Sequence, residues 1–315
     1  MNQLHSTALL LALTATAFAG PDELVSIPPL EPSPTGFENA RRPISNPTRF
    51  DLALPRTNIH ALWMHHNFPN HINRAGGGTL PFGGDLDLFA VQLEYAFNDR
   101  LSLVANKDGY IDFNPDNTFS SETGFANLAA GLKYAFIFDP DKQFVLSGSA
   151  VVEVPTGNRD VFQGEGDGSL HLSLSDLKLY NQWQFAGAAG VEIPFDNDFS
   201  TTGFISAHVS YEVCNWFIPL VELNWFTVLD EGDGGSRFAS QAGGAVPAVA
   251  SFEGADLINW GAANGGDHDY ATAAFGFRSR LSETLDLGFA YEIPLTDEND
   301  NITENRLTVD LTLTF

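Results

Sequence analysis

The sequence predicts an all-β fold, a transmembrane antiparallel β-barrel of about twelve strands with short periplasmic turns and longer outer loops. Apolar and polar residues alternate without a break from Leu307 to Phe315. Near the other end, an apolar run closes with Ala17-Phe18-Ala19, which is typical of a secretory signal. Between the ends, short and long connections alternate strictly, as they do in barrels whose turns are tight on one side of the membrane.

The predicted closing strand ends the chain. Leu307 and Val309 share one face, whereas Thr308 and Asp310 share the other. A period of two with one apolar and one polar face suits a strand that has lipid on one side and water on the other. The strand resembles the closing strands of bacterial outer-membrane barrels, which end in an aromatic residue. We therefore expect outer-membrane lipid around the protein, the barrel-assembly machinery as a partner, and Phe315 as its assembly signal.

The first 56 residues of the chain have a different character. Residues 1–19 are predicted to be a signal peptide, although no Lys or Arg precedes the apolar run; a buried N-terminal helix is the alternative. No segment reaches the roughly 18 to 20 continuous apolar residues of a membrane helix, so we expect an exported protein without one. That leaves an outer-membrane barrel or a secreted β-sandwich. The Pro-rich residues 20–56 are predicted to be a periplasmic lead-in or a plug, with a short strand at Phe50–Leu54, and residues 57–315 to be the barrel.

Composition excludes some functions. The net charge of −25 and the isoelectric point near 4.3 make nucleic acid an unfavourable partner. Only 17% of residues are charged while Phe alone supplies 26, which argues against disorder and suits aromatic girdles with acidic loops. The single cysteine, Cys214, cannot form an internal disulfide.

Turn residues and alternation place the strands, with two irregularities. Lys107 falls on the lipid-facing phase, which predicts that its strand leaves the membrane near Asn106. In a later strand the apolar phase slips between Leu174 and Leu177, which predicts a β-bulge near Ser175. The predicted strands are 57–67, 86–97, 101–112, 126–137, 143–154, 169–180, 183–194, 202–213, 217–228, 269–281, 284–294 and 305–315.

Charged side chains on the inward phase are the candidate lumen residues. Charges inside a barrel are costly unless they are paired or hydrated, and both signs occur. The functional interpretation is a polar translocation path with a constriction that sets selectivity; the alternative is a salt-bridged filling that holds the barrel together. The lumen and selectivity candidates are Glu94, Lys133, Glu153, Glu192, His208, Glu222, Arg278, Arg280, Glu292, Arg306 and Asp310, and Lys178, Glu212 and Asn224 share their phase.

The 229–268 connection is the candidate gate. It is long and carries much apolar surface, so it should not extend freely into water. It could fold into the mouth as a constriction, present an apolar vestibule to a ligand, or pack on the rim as a lid without a ligand role. The gating candidates are Phe252, Leu257, Ile258 and Trp260.

Metal-binding and catalytic patterns are weak. The acidic outer loops, with Asp297 and Asp300 in one of them, could bind divalent cations, but no segment has the spacing of a calcium loop and solvation is the alternative. Adjacent His65 and His66 point to opposite faces of a strand. The stretch around His171 resembles an outer-membrane phospholipase only in placing Ser and His on one strand. With no catalytic or cofactor-binding motif, we expect neither an enzyme nor a cofactor.

Several short blocks resemble the MetA-pathway phenol-degradation family of outer-membrane transporters. The resemblance covers roughly 126–315 and implies a channel for small hydrophobic or aromatic solutes in the outer membrane. A sealed structural or surface-binding barrel is the alternative function, and an outer-membrane hydrolase is a weaker one. The blocks are Gly131-Leu132-Lys133-Tyr134, Glu153-Val154-Pro155-Thr156-Gly157, Glu222-Leu223, Phe277-Arg278, Glu292-Ile293-Pro294-Leu295-Thr296 and Glu304-Asn305-Arg306.

Overall fold

The computed structural model describes residues 36–315 except 248 and 267. The predicted signal peptide, residues 1–19, and the first part of the lead-in lie outside the described residues. Two three-residue 3-10 helices occur, at Arg159–Val161 and Glu298–Asp300, and no described helix is long and apolar enough to cross a membrane. The strands are β1 Asn58–Asn67, β2 His71–Asn73, β3 Thr79–Pro81, β4 Gly84–Asn98, β5 Leu101–Lys107, β6 Tyr110–Pro115, β7 Glu122–Phe125, β8 Leu128–Asp139, β9 Phe144–Val154, β10 Ser169–Tyr180, β11 Trp183–Pro194, β12 Thr201–Tyr211, β13 Ile218–Asp230, β14 Arg237–Ala239, β15 Ala245–Pro247, β16 Asp269–Arg280, β17 Leu285–Pro294 and β18 Asn305–Thr314.

In the described part of the chain, twelve strands form one closed antiparallel sheet. Their order is β1-β18-β17-β16-β13-β12-β11-β10-β9-β8-β5-β4, and β4 pairs again with β1. His60 of β1 therefore lies opposite Thr312 of β18 on one side and Gln92 of β4 on the other. The predicted twelve-strand antiparallel barrel is confirmed.

The two faces of the wall meet different surroundings. Phe89 of β4 is 54% exposed on the outer face, whereas its strand neighbour Gln92 is 2% exposed on the inner face. The same alternation runs through the closing strand, where Thr308 and Asp310 are buried. Because the apolar side chains point out of a single closed sheet, the alternative of a secreted β-sandwich with a shared apolar interior is wrong.

The third barrel strand, β5, ends differently from the predicted strand 101–112, in which Lys107 is expected on the lipid-facing side. A register shift between Ala105 and Lys107 turns the Lys107 side chain inward, where its Nζ lies 2.6 Å from Glu153 Oε1. The chain then resumes in β6, which pairs with Gly84–Phe89 of β4 in the same sheet and forms a hairpin with β7. Lys107 therefore does not face lipid, because the bulge allows it to pair with a lumen carboxylate.

The predicted bulge near Ser175 is wrong. Strand β10 pairs with β9 and β11 without a register shift. Its apolar phase changes because Leu177 and Leu179 face inward, against an apolar cluster that includes Phe50 and Leu54 of the N-terminal segment. The side chain of Lys178, predicted to face the lumen, instead donates to the backbone carbonyl of Lys142 in a short turn.

Residues 36–56, which we call the N-terminal segment, lie inside the wall. The segment starts beside the short turns, where Gln143 donates to the carbonyl of Gly36. It reaches toward the long connections at Arg49, which bonds Glu192, and returns to the short-turn end at Arg56, next to Glu94. The segment contains no described strand, so the predicted short strand at 50–54 is wrong; its carbonyls bond side chains of the wall instead.

A charge on the outer face should destabilise this barrel. Leu132 lies mid-strand in β8 and is 50% exposed on that face. We expect Leu132→Arg to lower the free energy of unfolding in lipid vesicles by about 2–4 kcal/mol, because the guanidinium enters the hydrocarbon region. The measurement is denaturant unfolding of the refolded protein. Leu295→Arg, in an outer connection, is the control and should cost less than about 1 kcal/mol; equal effects would contradict the assignment of the faces.

Candidate functional site: a chamber above the N-terminal segment

The predicted lumen residues line the interior of the wall. Each of the eleven lumen and selectivity candidates contacts another inward-facing side chain or the N-terminal segment. Glu212 and Asn224, which share their phase, do the same. Lys178 is the exception described above. The structure places inside the barrel Glu94, Lys133, Glu153, Glu192, His208, Glu222, Arg278, Arg280, Glu292, Arg306 and Asp310.

One buried ion-pair group joins the closing strand to its neighbour β1 and to β16, two strands away in the sheet. Arg278 of β16 contacts both carboxylate oxygens of Asp310 on β18, at 2.9 and 2.6 Å, and His60 Nε2 lies 2.8 Å from the same carboxylate. Arg278 Nε donates in addition to the carbonyl of Arg42 at 2.6 Å. A bidentate pair with further hydrogen bonds offsets the large cost of removing both charges from water.

Other lumen carboxylates bind the N-terminal segment directly. Glu222 accepts from the backbone amides of Ile44, at 2.9 Å, and Ser45, at 2.6 Å, and lies 2.7 Å from His208. Lys133 donates to Asp51 of the segment at 2.7 Å. The charged groups of Glu222 and Lys133 are therefore bound to the N-terminal segment.

Sequence reasoning missed the partners that the segment supplies. Arg41 pairs with Glu212, Asp51 pairs with Lys133, and Arg49 pairs with Glu192. A signal was present: the inward set carries more carboxylates than cations, and the Pro-rich segment holds a cluster of arginines. Because the inward-facing carboxylates outnumber the inward-facing cations, further buried cations are needed to pair with them.

A chamber lies between the segment and the outer loops. Its floor is Thr48 and Arg49, and its roof is residues 255–259 of the long connection. It holds about 730 Å³ of empty space, part of it open to solvent. Its wall mixes polar and apolar side chains from several strands and loops: Asn106, Lys107, Asn127, Glu153, Phe162, His171, Glu192 and Phe199.

The gating candidates divide into two groups. Leu257 and Ile258 line the chamber. Phe252 and Trp260 are buried in a large aromatic cluster at the outer mouth, where the Trp260 ring lies 5.0 Å from Phe162 between ring centroids. The connection therefore packs over the mouth and also presents apolar side chains to the chamber.

A buried pair fastens the roof to the wall. Asp256 of the connection accepts from both terminal nitrogens of Arg306 on β18, at 2.8 and 3.1 Å. The guanidinium holds the pKa of Asp256 below its usual value against the effect of burial. Arg306 also lies 3.5 Å from Glu292. The roof thus depends on a charge pair that is shielded from water.

Glu253 organises the turn behind the roof. It accepts from the hydroxyl of Ser200 at 2.6 Å, from the amide of Ala262 at 2.8 Å and from the amide of Trp260. Burial raises the pKa of Glu253 to about 7, and the hydrogen bonds offset only part of that effect.

Ser169 and His171 meet the distance condition for a nucleophile and base, but not the geometry of a triad. Ser169 Oγ lies 2.9 Å from His171 Nε2, and Glu153 Oε2 lies 3.1 Å from the same nitrogen. In a catalytic triad the carboxylate orients the imidazole through its other nitrogen. Ser173, which follows His171 by two residues on the same strand, bonds Ser149 instead.

The fold and the interior define the class of protein. A closed antiparallel wall with apolar side chains outside and charged groups inside is an integral outer-membrane β-barrel, located in the cell outer membrane of a Gram-negative type of envelope. More particularly, residues 70–257 match the family described as "Putative MetA-pathway of phenol degradation". The match covers more than half of the chain, so the protein belongs to this family, and the resemblance found in the sequence is confirmed.

Solved structures share the fold at low sequence identity. The COG4313 outer membrane channel from Pseudomonas putida F1 has a TM-score of 0.55 and 12% identity, over 82% of this chain and 96% of that chain. The NanC porin has a TM-score of 0.49 and 7% identity, over 82% and 100% of the two chains. At 12% identity the first similarity shows the fold alone. No curated protein matches the chain.

The raised pKa of Glu253 predicts a pH-dependent roof. A folded-state pKa above the ordinary value stabilises the packed turn at low pH, and this contribution is lost as pH rises through about 7. Between pH 5.5 and 8.5 we expect the protection factors of the Trp260 and Ala262 amides to fall roughly thirtyfold, equivalent to about 2 kcal/mol. Hydrogen exchange, normalised for intrinsic rates, measures this.

Glu253→Gln is the matched control for this prediction, because it keeps the acceptor and removes the titration. Its protection factors should be independent of pH over the same range. A variant that keeps the pH dependence of the parent protein would show that another group is responsible.

Proposed function

We propose that this protein is an outer-membrane channel for the passive uptake of small hydrophobic or aromatic molecules. The chamber carries the proposal: it joins apolar side chains, Phe162, Phe199, Leu257 and Ile258, to a polar wall directly beneath an aromatic mouth. Such a mixed cavity suits solutes with an apolar ring and one polar group. Membership of the phenol-degradation family supports the same class of solute.

The entry side of the proposed path is the aromatic cluster. Phe119, Phe162, Phe238 and Trp260 lie with ring centroids 5.0 to 6.2 Å apart, in mostly edge-to-face arrangements. An aromatic solute can replace such contacts with equivalent ones, so it can enter at little cost. The roof over the chamber then controls passage, with Leu257 and Ile258 as its solute-facing residues.

The exit side requires the N-terminal segment to move or to be bypassed. The segment bonds the wall through side chains rather than through a strand ladder, so a local rearrangement breaks a few pairs without opening the sheet. Asn46 Nδ2, for example, donates to Ser206 Oγ at 3.0 Å. The lumen charges that the segment binds, which we propose contribute to selectivity, become available to a solute only when the segment releases them.

A sealed structural or surface-binding barrel is the second candidate. The observation that favours it is the number of lumen charges that the segment already pairs, such as Glu192 with Arg49 and Glu212 with Arg41. A sealed barrel and a channel with a mobile segment share this resting state. The two functions differ in solute uptake. Fixing the segment to the wall would reduce uptake through a channel, whereas a sealed barrel takes up no solute whether the segment is fixed or free.

Fixing the segment to the wall tests the two functions. The protein would carry Asn46→Cys and Ser206→Cys in a Cys214→Ser background, with the two thiols joined by a disulfide. We expect uptake of a radiolabelled substituted phenol to fall at least tenfold when the disulfide is present and to recover on reduction. Uptake is measured in cells with an intact outer membrane, because phospholipid vesicles leak such solutes.

The control joins two wall strands at the outer rim, with Asn67→Cys and Asn305→Cys in the same background. These side chains lie 2.9 Å apart and do not contact the segment. This disulfide should leave uptake unchanged. If cells that express the unmodified protein take up no more solute than cells that lack it, the channel proposal fails and the sealed barrel remains.

A further inference from the structure

Three metal-ligating side chains converge on the chamber wall. Glu153, His171 and Glu192 stand on the adjacent strands β9, β10 and β11 and point inward. His171 of β10 lies directly opposite Glu192 of β11. Ser169, the neighbouring inward-facing residue of β10, lies directly opposite Glu153 of β9. One ligand atom from each of the three lies within 4.8 Å of the other two.

The strand pairing explains why the three groups meet. Directly opposed residues on one face of an antiparallel pair have Cβ atoms about 5 Å apart, and diagonal neighbours remain within reach of long side chains. His171 is therefore placed between two glutamates by regular pairing. The site is rigid because its ligands stand on three paired strands rather than on a loop.

We propose that Glu153, His171 and Glu192 bind a divalent transition-metal ion, with Zn²⁺ as the best match. One imidazole and two carboxylates form a mixed nitrogen and oxygen set, which zinc accepts, whereas calcium and magnesium prefer oxygen alone. Three protein ligands leave a position open toward the chamber. Water or an oxygen atom of a solute would occupy that position.

The carboxylates are only partly used by their present partners. Lys107 and Asn127 contact Oε1 of Glu153, at 2.6 and 2.7 Å, while His171 lies next to Oε2. Arg49 contacts Oε2 of Glu192 at 2.6 Å. Each carboxylate can thus give one oxygen to the ion and keep its cation on the other.

Two unpartnered polar atoms belong to residues that line the chamber. Thr48 Oγ1 and Asn106 Oδ1 are buried and have no hydrogen-bond partner among the described residues, and both residues line the chamber. They can accept from water molecules on the ion, which satisfies groups that otherwise cost free energy. The positive charges of Lys107 and Arg49 oppose the ion and limit its affinity.

A Zn²⁺ titration of the full-length protein refolded in detergent micelles tests the proposal. Isothermal titration calorimetry should show one equivalent of Zn²⁺ bound, and His171→Asn should weaken binding at least tenfold. Lys107→Gln should strengthen binding at least fivefold, because it removes the opposing charge and leaves all three ligands. The heat-dependent shift of the barrel in gel electrophoresis checks the fold of both variants, because a misfolded chain can bind Zn²⁺ through other histidines.

His65→Asn is the matched control. His65 stands with Asp85 and Asp87 in a second group of ligand-type residues on the outer side of β1 and β4. Binding that survives His171→Asn, or that disappears with His65→Asn, would overturn the proposal, as would the absence of any bound Zn²⁺. The titration measures no transport, so its failure would leave the uptake proposal standing, and a failure of uptake would leave the metal site standing.

Discussion

The pairing of buried charge is the constraint on which this interior depends. The wall turns its apolar side chains to lipid, so its charged side chains have only the lumen to occupy. A charge held there needs a partner of opposite sign, since isolation from water costs several kcal/mol per ion. The N-terminal segment provides such partners: its Arg49 pairs with Glu192 of the wall, and its Asp51 pairs with Lys133 of the wall. Segment and wall therefore form one electrostatic unit.

The sequence predicted most of the wall because each strand records its two surroundings locally. Eleven of the twelve predicted strands agree with the structure within two residues at each end, and β10 and β11 match the predicted ranges, whereas the predicted strand 101–112 is divided between β5 and β6. The failures have a common cause. Leu177 faces inward because it packs against the N-terminal segment, and Lys107 turns inward to meet Glu153. Both depend on contacts between residues far apart in the chain, which a two-residue period does not report.

The chamber was harder to predict than the wall for the same reason. Its wall residues were recognised from their inward phase, for example Glu192 and Glu153. Its floor comes from a segment without periodicity, and its roof comes from a connection whose path has no strand to guide it. Composition alone indicated that the 229–268 connection would pack rather than extend, but the contact between Asp256 and Arg306 joins residues that no spacing rule relates.

The path of the N-terminal segment bears on biogenesis. The segment departs from the rim of short turns, bends near Arg49 and comes back to that rim before β1 begins. A segment that enters and leaves at the same rim can insert into the closed barrel from the periplasm as a folded loop. No chain end has to pass through the barrel. The seam between the first and last strands can therefore close before or after the segment docks, and neither order creates a topological knot.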